Sequence, residues 1–135
     1  DLVITEAEYG KGKRVGVFSS FTLSCWDEKN KKFLEIGKAS TGLKEKEELG
    51  LSYSELTERI KPFIEKEKGR KAVIKPKIVV TIVYQNIQKS PTYSSGFALR
   101  FPRITRLRDD KTPKDIATLN EVIEDYKSHE LKIKK

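Results

Sequence analysis

Methionine is missing from this 135-residue chain, and cysteine, histidine and tryptophan occur once each. Cys25 therefore has no partner for an internal disulfide, and no second thiol or imidazole stands at metal-ligand spacing from it. The lone histidine, His129, lies in a charged C-terminal tail. Structural zinc and Cys/His nucleophile schemes are excluded, and no metal-ligating set is expected. Long apolar runs are missing too: nothing approaches the roughly 20 residues that cross a bilayer. The first residues lack the charged, apolar, small-residue order of a signal peptide. A soluble, intracellular-type chain with no membrane partner is expected. There is no internal repeat, and no low-complexity stretch beyond the lysine-rich end. With no methionine, and with Asp1 opening directly into Leu2-Val3-Ile4, the chain reads as a piece of a longer polypeptide begun at or near a domain boundary.

Charge is what the sequence has in quantity. Charged residues make up 36%, matching the 36% that are hydrophobic, which fits one small domain with a thin core and a wet surface. The net charge of +8 is unevenly spread: residues 1–50 hold nine basic and nine acidic side chains, so the whole excess falls in residues 51–135. Two readings fit that half, a polyanionic partner or a lysine-solvated surface.

From Val15 to Cys25 the odd positions Val15, Val17, Phe21, Leu23 and Cys25 are apolar, against polar Ser20, Thr22 and Ser24. A period of two predicts a half-buried strand. A polar turn over 27–31 and a second extended run from Phe33 complete a long hairpin, preceded by a strand over Leu2 to Glu8. Ser52 followed by Glu55 predicts a capped helix start, and Leu56, Ile60, Phe63 and Ile64 form its apolar stripe up to Gly69. Pro62 stands inside that stripe and predicts a kink or break near Lys61. The β-branched run Ile78 to Tyr84 is a central strand, and Phe97, Leu99 and Phe101 alternate until Pro102 breaks the phase. Thr112-Pro113 and Thr118 to Glu121 are helix-start signals ahead of a stripe of Ile116, Leu119, Ile123 and Tyr126. Three strands, a helix, two strands and a terminal helix give an all-β fold with helices. It is a five-stranded OB-fold Greek-key barrel with a helix between strands 3 and 4 and a C-terminal helix. Residues 1–111 are assigned to the barrel and 112–135 to the C-terminal helix and basic tail of the same domain.

The densest stretch is Leu99 to Lys111, where Arg100, Arg103, Arg106, Arg108 and Lys111 share thirteen positions with Asp109, Asp110 and Phe101. A charged edge strand that blocks aggregation is one explanation. The other is a phosphate grip, in which arginine forks bind oxygens in pairs and lysine adds a point charge.

Arg108-Asp109-Asp110-Lys111 resembles the Arg-Xaa-Asp-Lys element, motif VI, that closes the OB domain of covalent nucleotidyltransferases. Leu99 to Arg103 is similar to the segment before that motif in archaeal and eukaryotic replicative DNA ligases. Asp1 to Ile4 followed by Tyr9 to Arg14 resembles the passage from their adenylation domain into the OB domain, and Leu56 to Pro62 matches their inter-strand helix. The chain is thus identified as similar to the C-terminal OB-fold domain of an ATP-dependent DNA ligase.

The resemblance implies two sets of residues. Arg108 and Lys111, supported by Asp110, would approach the ATP triphosphate during self-adenylation and orient the pyrophosphate leaving group. ATP and Mg2+ would be held mainly by the adenylation domain, which supplies the attacking lysine from a Lys-Xaa-Asp-Gly motif. That motif does not occur here, so the fragment alone is expected to be inactive. Family ligases then turn the OB domain around to bind nicked double-stranded DNA. Phe101 would there be an apolar wedge, with Arg100 and Arg103 near the backbone. Partners implied are nicked duplex, the adenylation domain of the same parent chain and, as a candidate, a sliding clamp. The setting is DNA replication, repair and recombination, in the cytoplasm or nucleoid of an archaeon or the nucleus of a eukaryote. From the residues alone, Phe101 reads as a core aromatic of an alternating strand. Lys11, Lys13 and Arg14 fit a DNA-phosphate cradle or a flexible strand connection, and the lysines between Lys66 and Lys77 fit a phosphate contact or a solvated loop. A free-standing single-strand-binding OB module and the OB domain of a capping enzyme are the competing functions.

Overall fold

The computed structural model describes residues 1–10, 18–39, 53–108 and 110–134. Its organising element is β1 (Leu2–Tyr9), whose opening Leu2, Val3 and Ile4 are buried on both faces of the sheet. One edge of β1 pairs antiparallel with β2 (Phe18–Asp27), which turns back into β3 (Lys32–Ala39). The other edge is shared between two strands. The first residues of β1 pair with β6 (Val79–Val83), and its last residues with β5 (Lys71–Ile74). β5 carries β4 (Ile64–Lys68), and β6 carries β9 (Arg103–Leu107). A separate hairpin of β7 (Asn86–Lys89) and β8 (Phe97–Arg100) lies over β3. There Ser95 N–H donates to the Glu35 carbonyl at 3.2 Å, and a Cβ on Gly37 would stand 3.5 Å from that of Leu99.

Between β3 and β4 sits α1 (Tyr53–Ile60), which buries Leu56 and Ile60 and uses the Thr57 hydroxyl to accept the Phe18 N–H at 2.9 Å. This antiparallel arrangement with its inter-strand helix is an OB-fold barrel, as expected, although its strand inventory is larger than five. Chain reversals at Gly69, with φ of 61°, and at Gly96, with φ of 84°, add hairpins to the basic plan.

Several local expectations are corrected. β2 is not half-buried: Thr22 is 2% exposed and Ser24 1%. Toward its C-terminal end the polar face of β2 is covered by the segment before the last helix. A second apolar cluster of Val3, Val79 and Ile116, flanked by Trp26 and Phe33, forms there. Trp26 N–H reaches the Ala117 carbonyl at 3.0 Å, and the Ser24 hydroxyl pairs with that of Thr5 at 2.9 Å. Pro62 does break the helix, into a 3₁₀ turn over Lys61–Phe63, but Ile64 then starts a strand instead of extending the apolar stripe. The lysine-rich run 66–77 is largely the β4–β5 hairpin, not a loop.

The C-terminal signals act in series. Thr112 and Asp115 form a reciprocal cap on a 3₁₀ turn, Pro113–Asp115, and Thr118 and Glu121 cap α2 (Leu119–Lys134). Ile116 precedes that helix instead of belonging to its stripe, and among the described side chains of α2 Val122 is the buried one. Tyr84 Oη donates to Asp125 at 2.6 Å, and the Phe97 and Tyr126 rings meet at a tilt with centroids 5.3 Å apart, which fixes α2 against the end of β6 and against β8. Among the described residues no helix is long and apolar enough to cross a membrane.

Candidate functional site

β9 has an exposed aromatic at one end and a cluster of charges at the other. As a strand of five residues it separates them by roughly 15 Å, at about 3.3 Å per residue.

At the C-terminal end the ladder closes with Arg108 N–H donating to the Val79 carbonyl at 2.9 Å. The Arg108 side chain turns to Asp110, its Nε and Nη2 donating to both carboxylate oxygens at 3.0 and 2.8 Å. Such a two-point fork fixes the guanidinium plane as well as its charge. It also holds the Asp110 carboxyl well below the usual carboxylate range and raises the Arg108 guanidinium. The chain then turns, with Lys111 N–H reaching the Arg108 carbonyl at 3.3 Å. Lys111 Nζ lies 2.7 Å from Asp1 Oδ2, and Arg108 Nη1 lies 3.7 Å from the same oxygen. Asp1 is itself anchored, its Oδ1 accepting from the Thr81 hydroxyl at 2.8 Å.

Arg108, Asp110 and Lys111, predicted from the motif, are therefore together. Asp1 is the member that spacing does not reveal, because it is brought in from the far end of the chain by the pairing of β1 with β6. The only signal in the sequence is an isolated carboxylate directly ahead of an apolar strand. Asp1 is the least exposed of the group, its side chain 11% accessible against 21% for Arg108 and 32% for Lys111. Chemically the cluster is two cations converging on one carboxylate oxygen, a charge arrangement that can also receive a phosphate oxygen.

At the other end of β9, the link from β8 passes through Phe101 in a left-handed conformation, with φ of 53°. That geometry is disfavoured for a bulky side chain and throws it outward. Phe101 is 67% exposed, so it is not a core aromatic. Arg100 stands over its ring at 5.2 Å, its own carbonyl accepting the Gln85 N–H at 2.9 Å. Val83, also exposed, pairs with Arg103 across the ladder and extends the apolar spot. Arg100, Phe101 and Arg103 are thus one surface, separate from the Arg108 cluster. Lys11, Lys13, Arg14 and Asp109 lie outside the described residues.

Residues 14–111 match the family described as the ATP dependent DNA ligase C terminal region. The DNA ligase of Nanoarchaeum equitans is 50% identical over 128 residues, covering 93% of this chain and 23% of the relative. Those of Thermococcus fumicolans and Archaeoglobus fulgidus are 40% and 45% identical, over 93% and 94% of this chain and 22% of each relative. Among solved structures, the ligase domain of M. tuberculosis LigD superposes with a TM-score of 0.64 at 23% identity, over 86% of this chain and 37% of that one. Mycobacterial DNA ligase D complexed with ATP and MES gives 0.60 at 22%, over 87% and 36%. These structural likenesses bear on the fold alone.

Proposed function

Because the chain belongs to the ATP-dependent DNA ligases as their C-terminal region, we propose that it serves two successive steps of nick sealing from the two ends of β9. It spans about a fifth of the length of the curated relatives it matches, so the activity is that of a larger enzyme. Family membership favours this reading over a free-standing single-strand binder or a capping-enzyme domain.

The first step is self-adenylation. A lysine amine on the adenylation domain forms a bond to the α-phosphorus of ATP, and the bond to the bridging oxygen breaks. The electron pair leaves on pyrophosphate, and the amine proton goes to solvent or a nearby base. Negative charge grows on the leaving oxygens, and cations fixed in advance stabilise it without reorganisation. Arg108 and Lys111 are such cations, and Asp110 orients the guanidinium. The observation that carries this reading is their convergence on one carboxylate oxygen of Asp1, an anion seat already built. ATP and Mg2+ would be held mainly by the adenylation domain, and no step here passes through a metal held by this chain.

The second step uses the opposite end. An exposed aromatic flanked by Arg100 and Arg103 suits a duplex distorted at a nick. Insertion beside a base step costs a few kcal/mol and is offset by backbone contacts. Lys11, Lys13 and Arg14 are proposed to extend that contact, and a sliding clamp is a further proposed partner.

The test is enzyme–AMP formation by the full-length ligase. Arg108→Ala and Lys111→Ala should each slow the adduct by about a hundredfold, the effect typical of removing one charge-stabilising donor. Normal adduct formation in both variants would rule out the reading.

A further inference from the structure

The hairpin of β4 and β5 carries a charge surplus that neither end of β9 uses. From Lys66 to Lys75 it holds Lys66, Lys68, Arg70, Lys71 and Lys75 against one acid, Glu67, and that carboxylate accepts from the Tyr9 hydroxyl. All five cations are exposed. Strand pairing decides where they point. Lys66 stands opposite Val73 and Lys68 opposite Lys71, so these four share the outer face, while Ala72 and Ile74 are buried on the inner one. Gly69 and Arg70 make the two-residue turn between Lys68 and Lys71, which puts three cations within four residues at the tip.

This arrangement costs stability within the fold, because like charges directly opposite on paired strands repel. Among the described residues Lys66, Lys68, Arg70 and Lys75 make no ion pair, in contrast to Lys38, Lys61, Arg108 and Lys111. Glu8, the neighbour of Lys71 on the β1 side, is taken by Lys38 at 3.9 Å, and Lys71 acts on Glu35 only through space. Protection of a sheet edge accounts for the lysines of β4, which has no second partner strand among the described residues. It does not account for those of β5, which is paired on both sides. The surplus calls for an anion from outside. Protein interfaces are anchored by apolar and aromatic side chains and are depleted in lysine, and this face offers one apolar side chain, the 38% exposed Val73. Repeated cations on a two-stranded ribbon suit a regular polyanion instead.

We propose that the β4–β5 ribbon grips the phosphodiester backbone of duplex DNA away from the nick, through Lys66, Lys68, Arg70 and Lys71. The proposal rests on the reading that the Phe101 surface takes the nick, and adds a contact remote from it. Lys71 pairs with Glu8 near the end of β1, whereas β6 pairs with the first residues of β1 and runs on to Val83, beside Phe101. The ribbon tip is tied to the end of β1, Tyr9 N–H donating to the Arg70 carbonyl at 2.8 Å. Backbone contacts carry no information about the nick, so the ribbon holds intact and nicked duplex alike.

The salt dependence of duplex binding by the full-length ligase reads this contact directly. Each phosphate contact releases about one counterion, so Lys68→Gln, Arg70→Gln and Lys71→Gln combined should lower the slope of log affinity against log salt by about 2–3. Intact and nicked duplex should be affected to the same extent. Lys68→Arg with Lys71→Arg should keep the parental slope. Removing the same charge from the β2–β3 turn, by Lys29→Gln, Lys31→Gln and Lys32→Gln, should also keep it, which separates a contact from a change in net charge. Thermal unfolding checks that each variant is folded. A parental slope in the folded triple variant of the ribbon overturns the proposal. So does a loss confined to nicked duplex, or a loss of sliding-clamp binding with DNA affinity intact. If the ribbon variant binds DNA normally while Phe101→Ala weakens binding to nicked duplex, only this proposal falls. If Phe101→Ala also binds nicked duplex normally, the underlying reading falls with it.

Discussion

Phe101 is the residue at which local physics and proposed role oppose each other most clearly. A left-handed φ on a bulky residue costs on the order of 1–2 kcal/mol, and Phe101 recovers none of it by burial. Strain of this kind persists where surrounding structure imposes it, here through Pro102 and the Gln85 hydrogen bond to Arg100. Phe101→Gly should therefore leave chemical stability within about 0.5 kcal/mol of the parent, relief of strain offsetting the added freedom of the unfolded chain. Binding of the full-length enzyme to nicked duplex should weaken at the same time. A urea titration and a binding isotherm on the same variant check both halves. Cys25 shows the reverse case, a reactive group with no proposed role. Burial pushes its thiol up to about 11, so the neutral form is favoured in the fold. The stability it contributes is full below the ordinary thiol value of about 8.5 and is lost as pH rises through about 11. A disulfide reagent at pH 8 should accordingly leave the native chain unmodified and label one thiol once denaturant is added. Rapid labelling without denaturant would show that Cys25 is not part of the core.

Signals at element ends were legible in the sequence where they were chemical. Thr118 and Glu121 cap α2, and Pro62 stops α1, because each acts on backbone hydrogen bonds within a few residues. The β4–β5 hairpin escaped because Ile64 falls in phase with the helical stripe of Leu56 and Ile60, so a strand residue reads as one more helical turn. The lysines that follow carry no apolar alternation strong enough to reveal pairing. What closes the hairpin is Gly69, whose φ of 61° suits glycine and whose absent Cβ would meet nothing within 4 Å. The penalty for Gly69→Ala is thus conformational, not steric, and should destabilise the chain by about 1 kcal/mol. The midpoint of urea unfolding measures it, and an unchanged midpoint would place the turn in another conformation. The burial of both faces of β2 was hidden for a different reason. Ser24 looks like a solvent position until Ile116 and Ala117 arrive from near the end of the chain, beside Val3 and Trp26, to cover that end of the strand.

For the whole molecule, the consequence of the fold is separation. The motif that resembles a nucleotide-phosphate grip and the exposed aromatic with its two arginines are neighbours in sequence, yet β9 holds them at opposite ends of one strand. Both sets can be proposed from the sequence because each is a dense local run. It could not find Asp1, which joins the charged end only through the pairing of β1 with β6. The proposed two-step function would have the domain present first one end and then the other to the rest of the enzyme. The account stands or falls on whether those steps separate. The decisive measurement compares Lys111→Ala and Phe101→Ala in the full-length ligase, each assayed for enzyme–AMP formation and for sealing a nick that already carries AMP on its 5′-phosphate. The account predicts that Lys111→Ala forms the adduct slowly but seals the pre-adenylated nick at nearly the parental rate, and that Phe101→Ala does the opposite. Equal losses in both steps for both variants would contradict it.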